Sequence, residues 1–209
     1  MYKKLDDNSI NTLIETAIDE FAEHGLERAS MSTIARKAGV SVGVIYKYYG
    51  DKDGFFLACV RHSLELLDST VSEALEGGGD LHTCLRRLVR GLIRQSKEHA
   101  NYNAMYNEIT SGSCRKYADV LASEIETRTA KIYKKVFEHA GLEQDVNPAV
   151  FAFFFDNLLM MLQFSYSCDY YKHRMKIFCG EEIMNNDEIM EEMFIKFLDG
   201  VMKGEACNT

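Results

Sequence analysis

Along the first fifth of the chain, apolar residues recur at the period of α-helices. Ile10, Leu13, Ile14, Ala17, Ile18 and Phe21 stand three and four residues apart, forming one stripe on a helix that closes at Gly25, with Asp7, Asn8 and Ser9 as candidate N-caps. Ser30 can cap a second helix of about two turns through Met31, Ile34, Ala35 and Ala38, which Gly39 stops. Val40 can plug the turn. Ser41 can then cap a third helix, from which Ile45 and Tyr49 point inward while Val42, Val44, Lys47 and Tyr48 point elsewhere.

After Gly50 and the cap candidate Asp51, the residues Phe56, Val60, Leu64, Leu67, Val71 and Leu75 make a stripe of about five turns that ends at Gly77-Gly78-Gly79. Leu81, Leu85, Leu88, Val89, Leu92 and Ile93 predict a further helix, and Val120, Leu121, Ile125, Ile132, Val136 and Phe137 a longer one ended by Gly141. Asn147-Pro148 reads as a cap followed by proline at the first helical position, opening a very apolar helix that runs to about Tyr171 and is expected to be buried. A last helix is expected from Asp187 to about Lys203. The pattern predicts an all-α protein with a short three-helix N-terminal domain and a helical bundle behind it, and any hinge falls near Leu75 to Asp80.

Composition supports this reading. With 46% hydrophobic and 27% charged residues in 209, disorder is excluded as the main state, while one proline, no tryptophan and 14 glycines leave too few turn residues for an all-β fold. The balance of 24 basic against 32 acidic residues, a net charge of -8, argues against nonspecific coating of nucleic acid. One segment departs from that average: Arg28 to Lys52 carries Arg28, Arg36, Lys37, Lys47 and Lys52 against Asp51 alone. Such a split suits one region meant to approach an anion on a body that repels it elsewhere.

Six cysteines without a C-x-x-C pair or a suitably spaced histidine read as reduced thiols, so no metal site is expected. The N-terminus lacks a signal-peptide pattern, and no stretch approaches about 18 uninterrupted apolar residues, so a cytoplasmic chain without membrane insertion is expected. No Glu-x-x-His pair, H-E-x-x-H, G-x-S-x-G, P-loop or dinucleotide fingerprint occurs. Neither enzyme activity nor a cofactor is expected.

Two short helices around a glycine-containing turn, supported by a third, form the pattern of a helix-turn-helix, whose second helix can enter the major groove. At these residues the sequence resembles the tetracycline-repressor-like (TetR) family of transcriptional regulators. The run Phe21-Ala22-Glu23-His24-Gly25-Leu26, then Ala29-Ser30-Met31-Ser32-Thr33-Ile34-Ala35-Arg36-Lys37-Ala38-Gly39-Val40-Ser41, then Val42-Gly43-Val44-Ile45-Tyr46-Lys47-Tyr48-Tyr49-Gly50-Asp51-Lys52 is similar to that family's N-terminal signature. The resemblance covers about a quarter of the chain.

The resemblance implies a homodimer whose recognition helices read the half-sites of a near-palindromic stretch of double-stranded DNA, and a C-terminal region that binds a small-molecule effector. It implies a DNA-binding domain over 1–51, with the helix-turn-helix at about 31–50, and an effector-binding and dimerisation domain over 52–209. Ser30, Thr33, Ser41, Val42, Gly43, Val44, Tyr46, Lys47, Tyr48 and Lys52 are the DNA-contact candidates. Within that set, Gly43 would let the backbone approach the duplex, Tyr46 and Lys47 stand where the family touches phosphate, and Lys52 stands where it clamps phosphate. Val42 and Val44 replace the family's frequent Lys and Thr. They leave apolar edges that can meet thymine methyls but form no bidentate hydrogen bonds.

Other readings of these residues remain open from the sequence. Tyr49, Ile45, Ile34 and Phe21 suit the core of the small domain, and Arg36 and Lys37 suit either solvent or DNA. Arg86, Arg90 and Arg94 share one helix face, with Arg87 and Lys97 beside them, and this face either attracts an anionic effector or membrane surface or pairs with the acidic remainder. Tyr102, Met105, Tyr106, Tyr117, Phe155, Met161 and Phe164 are the effector-binding candidates, and such side chains equally build cores and dimer interfaces. As a set they favour a largely apolar or aromatic effector. The expected function is a ligand-responsive repressor. The alternative is a helical interaction protein that keeps the helix-turn-helix only as structure.

Overall fold

The computed structural model describes residues 5–109, 112–140 and 147–202, and among these it contains helices and no strand. The order is α1 Asp7–Arg28, α2 Met31–Lys37, α3 Val42–Tyr49, α4 Lys52–Glu76, α5 Leu81–Glu98, α6 Ala100–Glu108, a 3-10 turn Gly112–Tyr117, α7 Ala118–Ala140, α8 Pro148–Ser167, α9 Asp169–Met184 and α10 Asp187–Met202. The chain forms two compact units. One combines residues 1–66 with 101–120, and the other combines 67–100 with 121–209. The expected helix stop at Gly141, the side chains of Ile132, Val136 and Phe137, and Lys203 and Cys207 lie outside the described residues.

The first unit is built on α1. Its cap is Asp6, one residue before the three candidates, whose carboxylate accepts the Ser9 N–H at 2.8 Å. At Gly25 the backbone turns to φ +71°, a conformation side-chain-bearing residues avoid, so the helix kinks there before its last turn. Phe21 meets Phe55 and Phe56 edge-on with ring centroids 6.2 and 5.2 Å apart, and Tyr49 stacks on Phe55 at 4.4 Å. With Leu13, Ala17, Ile18, Ile34 and Ile45 fully or almost fully buried, this aromatic knot makes the core expected for the small helices.

In the second unit Leu85, Leu88, Val89, Leu92 and Ile93 of α5 pack with Phe155, Leu159 and Leu162 of α8 and with Ile195 and Leu198 of α10. The triple glycine ends α4 as expected. Arg87 seals that end, its guanidinium donating to the carbonyls of Ala74 at 3.1 Å, Gly77 at 2.9 Å and Gly78. Arg86 and Arg90 both bond the buried carboxylate of Glu191 on α10, at 3.1 and 2.9 Å, and Lys97 bonds Asp187 at 2.7 Å. The pairing reading of this basic face therefore holds for Arg86, Arg90 and Lys97.

Two expectations for the C-terminal helices are corrected. Asn147 caps α8 through the N–H groups of Ala149 and Val150 as read, but the helix ends at Ser167 because Cys168 takes extended dihedrals, and a separate helix, α9, follows. Nor is α8 buried all round. Phe155, Leu159 and Leu162 face the core, while Val150, Phe153 and Phe154 are more than half exposed. Ala149–Ser167 is long and apolar enough to cross a membrane by length and composition, with 28% of the window buried.

Candidate nucleic-acid interface

Both short helices of the first unit start from a serine cap. Ser30 Oγ accepts the Thr33 N–H at 3.2 Å to open α2, and Ser41 Oγ accepts the Val44 N–H at 3.3 Å to open α3. Between them Gly39 takes φ +70°, which lets the chain leave α2 sharply. Ile45, the fully buried residue of α3, and Tyr49, stacked on Phe55, pin the helix to the core, and its other side chains face outward.

On that outward surface Ser41, Gly43, Tyr46, Lys47 and Tyr48 are exposed, and Val42 and Val44 are half-buried. A Cβ at Gly43 would meet only Ser41 Oγ, at 3.9 Å, so nothing in the described chain requires a glycine there. Tyr48 is less free, because its hydroxyl oxygen accepts the backbone N–H of Leu5 at 2.9 Å. Lys52 donates to the carbonyl of Glu27 at 2.7 Å, which anchors the start of α4 to the end of α1. Thr33 is half-buried, Arg36 is exposed, and Lys37 lies 3.5 Å from Glu20. Serine caps at two helix starts and a basic residue, Lys47, on the open face make a surface able to take phosphate oxygens.

The effector-binding candidates lie in different surroundings. Tyr102 and Met105 are buried in the first unit, where Tyr102 donates its hydroxyl to Glu15, and Tyr106 and Tyr117 are half-buried there. The Lys116 ammonium stands 4.8 Å over the Tyr117 ring and pairs with Asp53, which lowers the Asp53 carboxyl below its usual range. Phe155 and Phe164 are buried in the second unit, Phe164 against Tyr171 at 5.4 Å. Met161 lines an apolar groove of about 280 Å³ with Leu158, Leu162, Met175, Phe178 and Phe194. Among the described residues no group of three His, Cys, Asp or Glu side chains could hold a metal ion.

Among the described residues two carboxylates, Glu20 and Glu191, are buried. Glu20 left a signal, since it falls on the apolar stripe of α1, three residues after Ala17. Glu191 left none, because its arginine partners lie about a hundred residues upstream.

A capped pair of short helices at the corner of an aromatic core, within an all-helical chain, defines a helix-turn-helix protein. A family model described as bacterial regulatory proteins, tetR family, matches residues 13–59. The HTH-type transcriptional regulator BetI of Stenotrophomonas maltophilia (strain R551-3) is 38% identical over 86 residues, 41% of this chain and 44% of that protein. The HTH-type transcriptional repressor AcnR of Corynebacterium efficiens is 39% identical over 66 residues, 32% of this chain and 35% of that protein. The chain therefore spans less than half the length of these curated relatives.

Solved structures share the fold along most of the chain. A TetR family transcription regulator from Marinobacter aquaeolei VT8 superposes with a TM-score of 0.69 at 23% identity, covering 90% of this chain and 93% of that one. A cysteine mutant of the TetR family regulator CifR, complexed with 26-bp double-strand operator DNA, gives 0.64 at 16% identity over 88% and 97%. FadR from Bacillus subtilis, in complex with stearoyl-CoA, gives 0.64 at 14% identity over 85% and 98%. At such identities these likenesses speak for the fold alone. The family likeness itself rests on residues 13–59, which are similar to the tetR family of bacterial regulatory proteins.

Proposed function

We propose that this protein is a ligand-responsive transcriptional regulator: a homodimeric repressor that leaves a near-palindromic operator when a small, largely apolar or aromatic effector binds. The observation that carries the reading is α3, held by the buried Ile45 and the stacked Tyr49 and presenting Gly43, Tyr46 and Lys47 outward from a serine-capped start. Residues 1–51 read DNA, with Ser30, Thr33, Ser41, Val42, Gly43, Val44, Tyr46, Lys47, Tyr48 and Lys52 as the contact set, and residues 52–209 bind effector and partner. That a family model of bacterial regulatory proteins matches residues 13–59, and that a structural neighbour was solved on operator DNA, supports the assignment.

Exposed apolar side chains on α8 and α9, among them Phe153, Phe154, Ile177 and Phe178, suit burial against a second copy. The neighbour solved with stearoyl-CoA supports an apolar effector, as does the thioether and aromatic lining around Met161. In this scheme effector favours a conformer whose recognition helices no longer match the spacing of about 34 to 36 Å between successive major-groove faces. DNA and effector then weaken each other's binding by one common factor.

The experiment changes Lys47 and Lys52 together to alanine and follows affinity for duplex DNA by fluorescence anisotropy across salt concentrations. Each lysine that neutralises a phosphate contributes about 0.9 to the logarithmic salt slope, so the pair should flatten it by up to about 1.8 and weaken binding. Unchanged affinity and slope would move the assignment to a helical interaction protein.

A further inference from the structure

The buried residues of α1 are Leu13, Ile14, Ala17, Ile18, Glu20, Phe21 and Leu26, and one of them is charged. Glu20 is 2% exposed. Its Oε1 accepts the backbone N–H of Ser30 at 3.0 Å, while Oε2 lies 3.5 Å from the Lys37 ammonium. The imidazole of His24 is a weaker neighbour, its Nε2 3.9 Å from Oε1. Ser30 is the N-cap of α2 and Lys37 its last residue, so one carboxylate reaches both ends of the helix.

An apolar side chain of this volume would pack α1 against its neighbours without the cost of desolvating a charge. What the carboxylate adds is direction. Its bond to Ser30 uses an N–H that precedes the helix and that no helical carbonyl satisfies. Its Oε2, buried and without a hydrogen-bond partner, has the half-exposed ammonium of Lys37 3.5 Å away, a charge pairing that ties the far end of α2 to α1. Because α2 packs on both α1 and α3, a carboxylate that fixes α2 also fixes the seat of α3.

We propose that Glu20 is a positioning residue for DNA recognition, setting the orientation of α2 and so of α3, and drawing Lys37 away from the phosphates. This rests on the DNA-binding reading above. Loss of the carboxylate leaves the basic groups on the surface, and Lys37 joins them unpaired. Nonspecific binding, which follows charge, is then kept or strengthened, while specific binding, which follows geometry, is lost.

The test uses the full chain and two duplexes, one enriched by wild-type protein from a random library and one of scrambled sequence. Glu20→Leu removes both interactions. The expected result is at least a tenfold fall in the ratio of specific to nonspecific affinity, with scrambled-duplex affinity unchanged or higher. A preserved ratio, or a parallel loss on both duplexes in folded protein, would overturn the proposal. Glu20→Gln keeps an oxygen for the Ser30 N–H and releases Lys37, and it decides the matter if the leucine variant does not fold. The ratio should then stay within about threefold of wild type while the salt slope steepens by about 0.9, one phosphate contact. A salt slope identical to wild type, or a ratio reduced tenfold, would overturn the proposal. If wild-type protein enriches no duplex, it is the DNA-binding reading that has failed, and the variants are not what shows it.

Discussion

The hydroxyl of Tyr102 donates to Oε1 of Glu15, joining α6 to α1 across 87 residues of sequence within the first unit. His62 Nε2 lies 3.5 Å from the same oxygen, and Tyr102 is 6% exposed. Removing only the hydroxyl, by Tyr102→Phe, should cost about 1 kcal/mol, since the carboxylate keeps a second neighbour. Tyr102→Ala also opens a cavity and should cost about 3–5 kcal/mol. Urea denaturation midpoints at unchanged slope check both values, and equal costs would show that the hydrogen bond carries the stability rather than the ring.

Alkaline pH should destabilise the fold. Burial pushes the Cys59 thiol and the phenols of Tyr49, Tyr102 and Tyr166 above their usual ranges, with the Glu15 bond adding to the effect on Tyr102. These groups are neutral when protonated and hold their protons more tightly in the folded chain than in the unfolded one. Their contribution is complete below the unfolded values, about 8.5 for a thiol and about 10 for a phenol, and is lost as pH rises toward the folded ones. The urea midpoint should therefore be level with respect to these groups from pH 7 to 8 and fall above about pH 9. A midpoint that rises through this range would contradict the assignment.

Gly54 and Gly43 should behave in opposite ways. In the first turn of α4, a Cβ on Gly54 would collide with the carbonyl oxygen of Tyr49, the last residue of α3, and backbone cannot swing aside as a side chain can. Gly54→Ala should cost about 1–3 kcal/mol and weaken DNA binding by shifting α3.

Gly43 has open space around it within the described chain. Gly43→Ala should leave stability unchanged or raise it by up to about 1 kcal/mol, as alanine does in a helix, yet reduce DNA affinity where the added methyl meets the duplex. Thermal melts beside anisotropy titrations separate the two effects. Unaltered DNA affinity in Gly43→Ala would remove the N-terminal turn of α3 from the interface.

The short helices α2 and α3 are legible because each has a serine cap before it and a glycine after it, and Ile45, Ile34 and Phe21 fall on the helical period; α1 differs at both ends, its cap being Asp6 and the stop expected at Gly25 being a kink inside a helix that runs to Arg28. The break at Cys168 is not legible, since no glycine or proline marks it and the apolar run continues to Tyr171. Burial on α8 was misread for a related reason: hydrophobicity all round a helix does not say which face the chain itself covers. The candidate site was legible as a surface, while its fastenings, Lys52 to Glu27, Tyr48 to Leu5 and Glu20 to Ser30, depend on pairs 10 to 43 residues apart that no periodicity encodes.

In the proposed function α3 reads DNA as one of a symmetric pair. Selection of the purified 209-residue chain against a random duplex library, with bound fractions sequenced over several rounds, tests this. The expected result is enrichment of a near-palindrome whose half-site centres lie about one helical turn, or a whole multiple of it, apart, bound with a steep negative salt slope. Folded protein that enriches no sequence, and whose residual DNA affinity is the same in the Lys47 and Lys52 double variant, would contradict it.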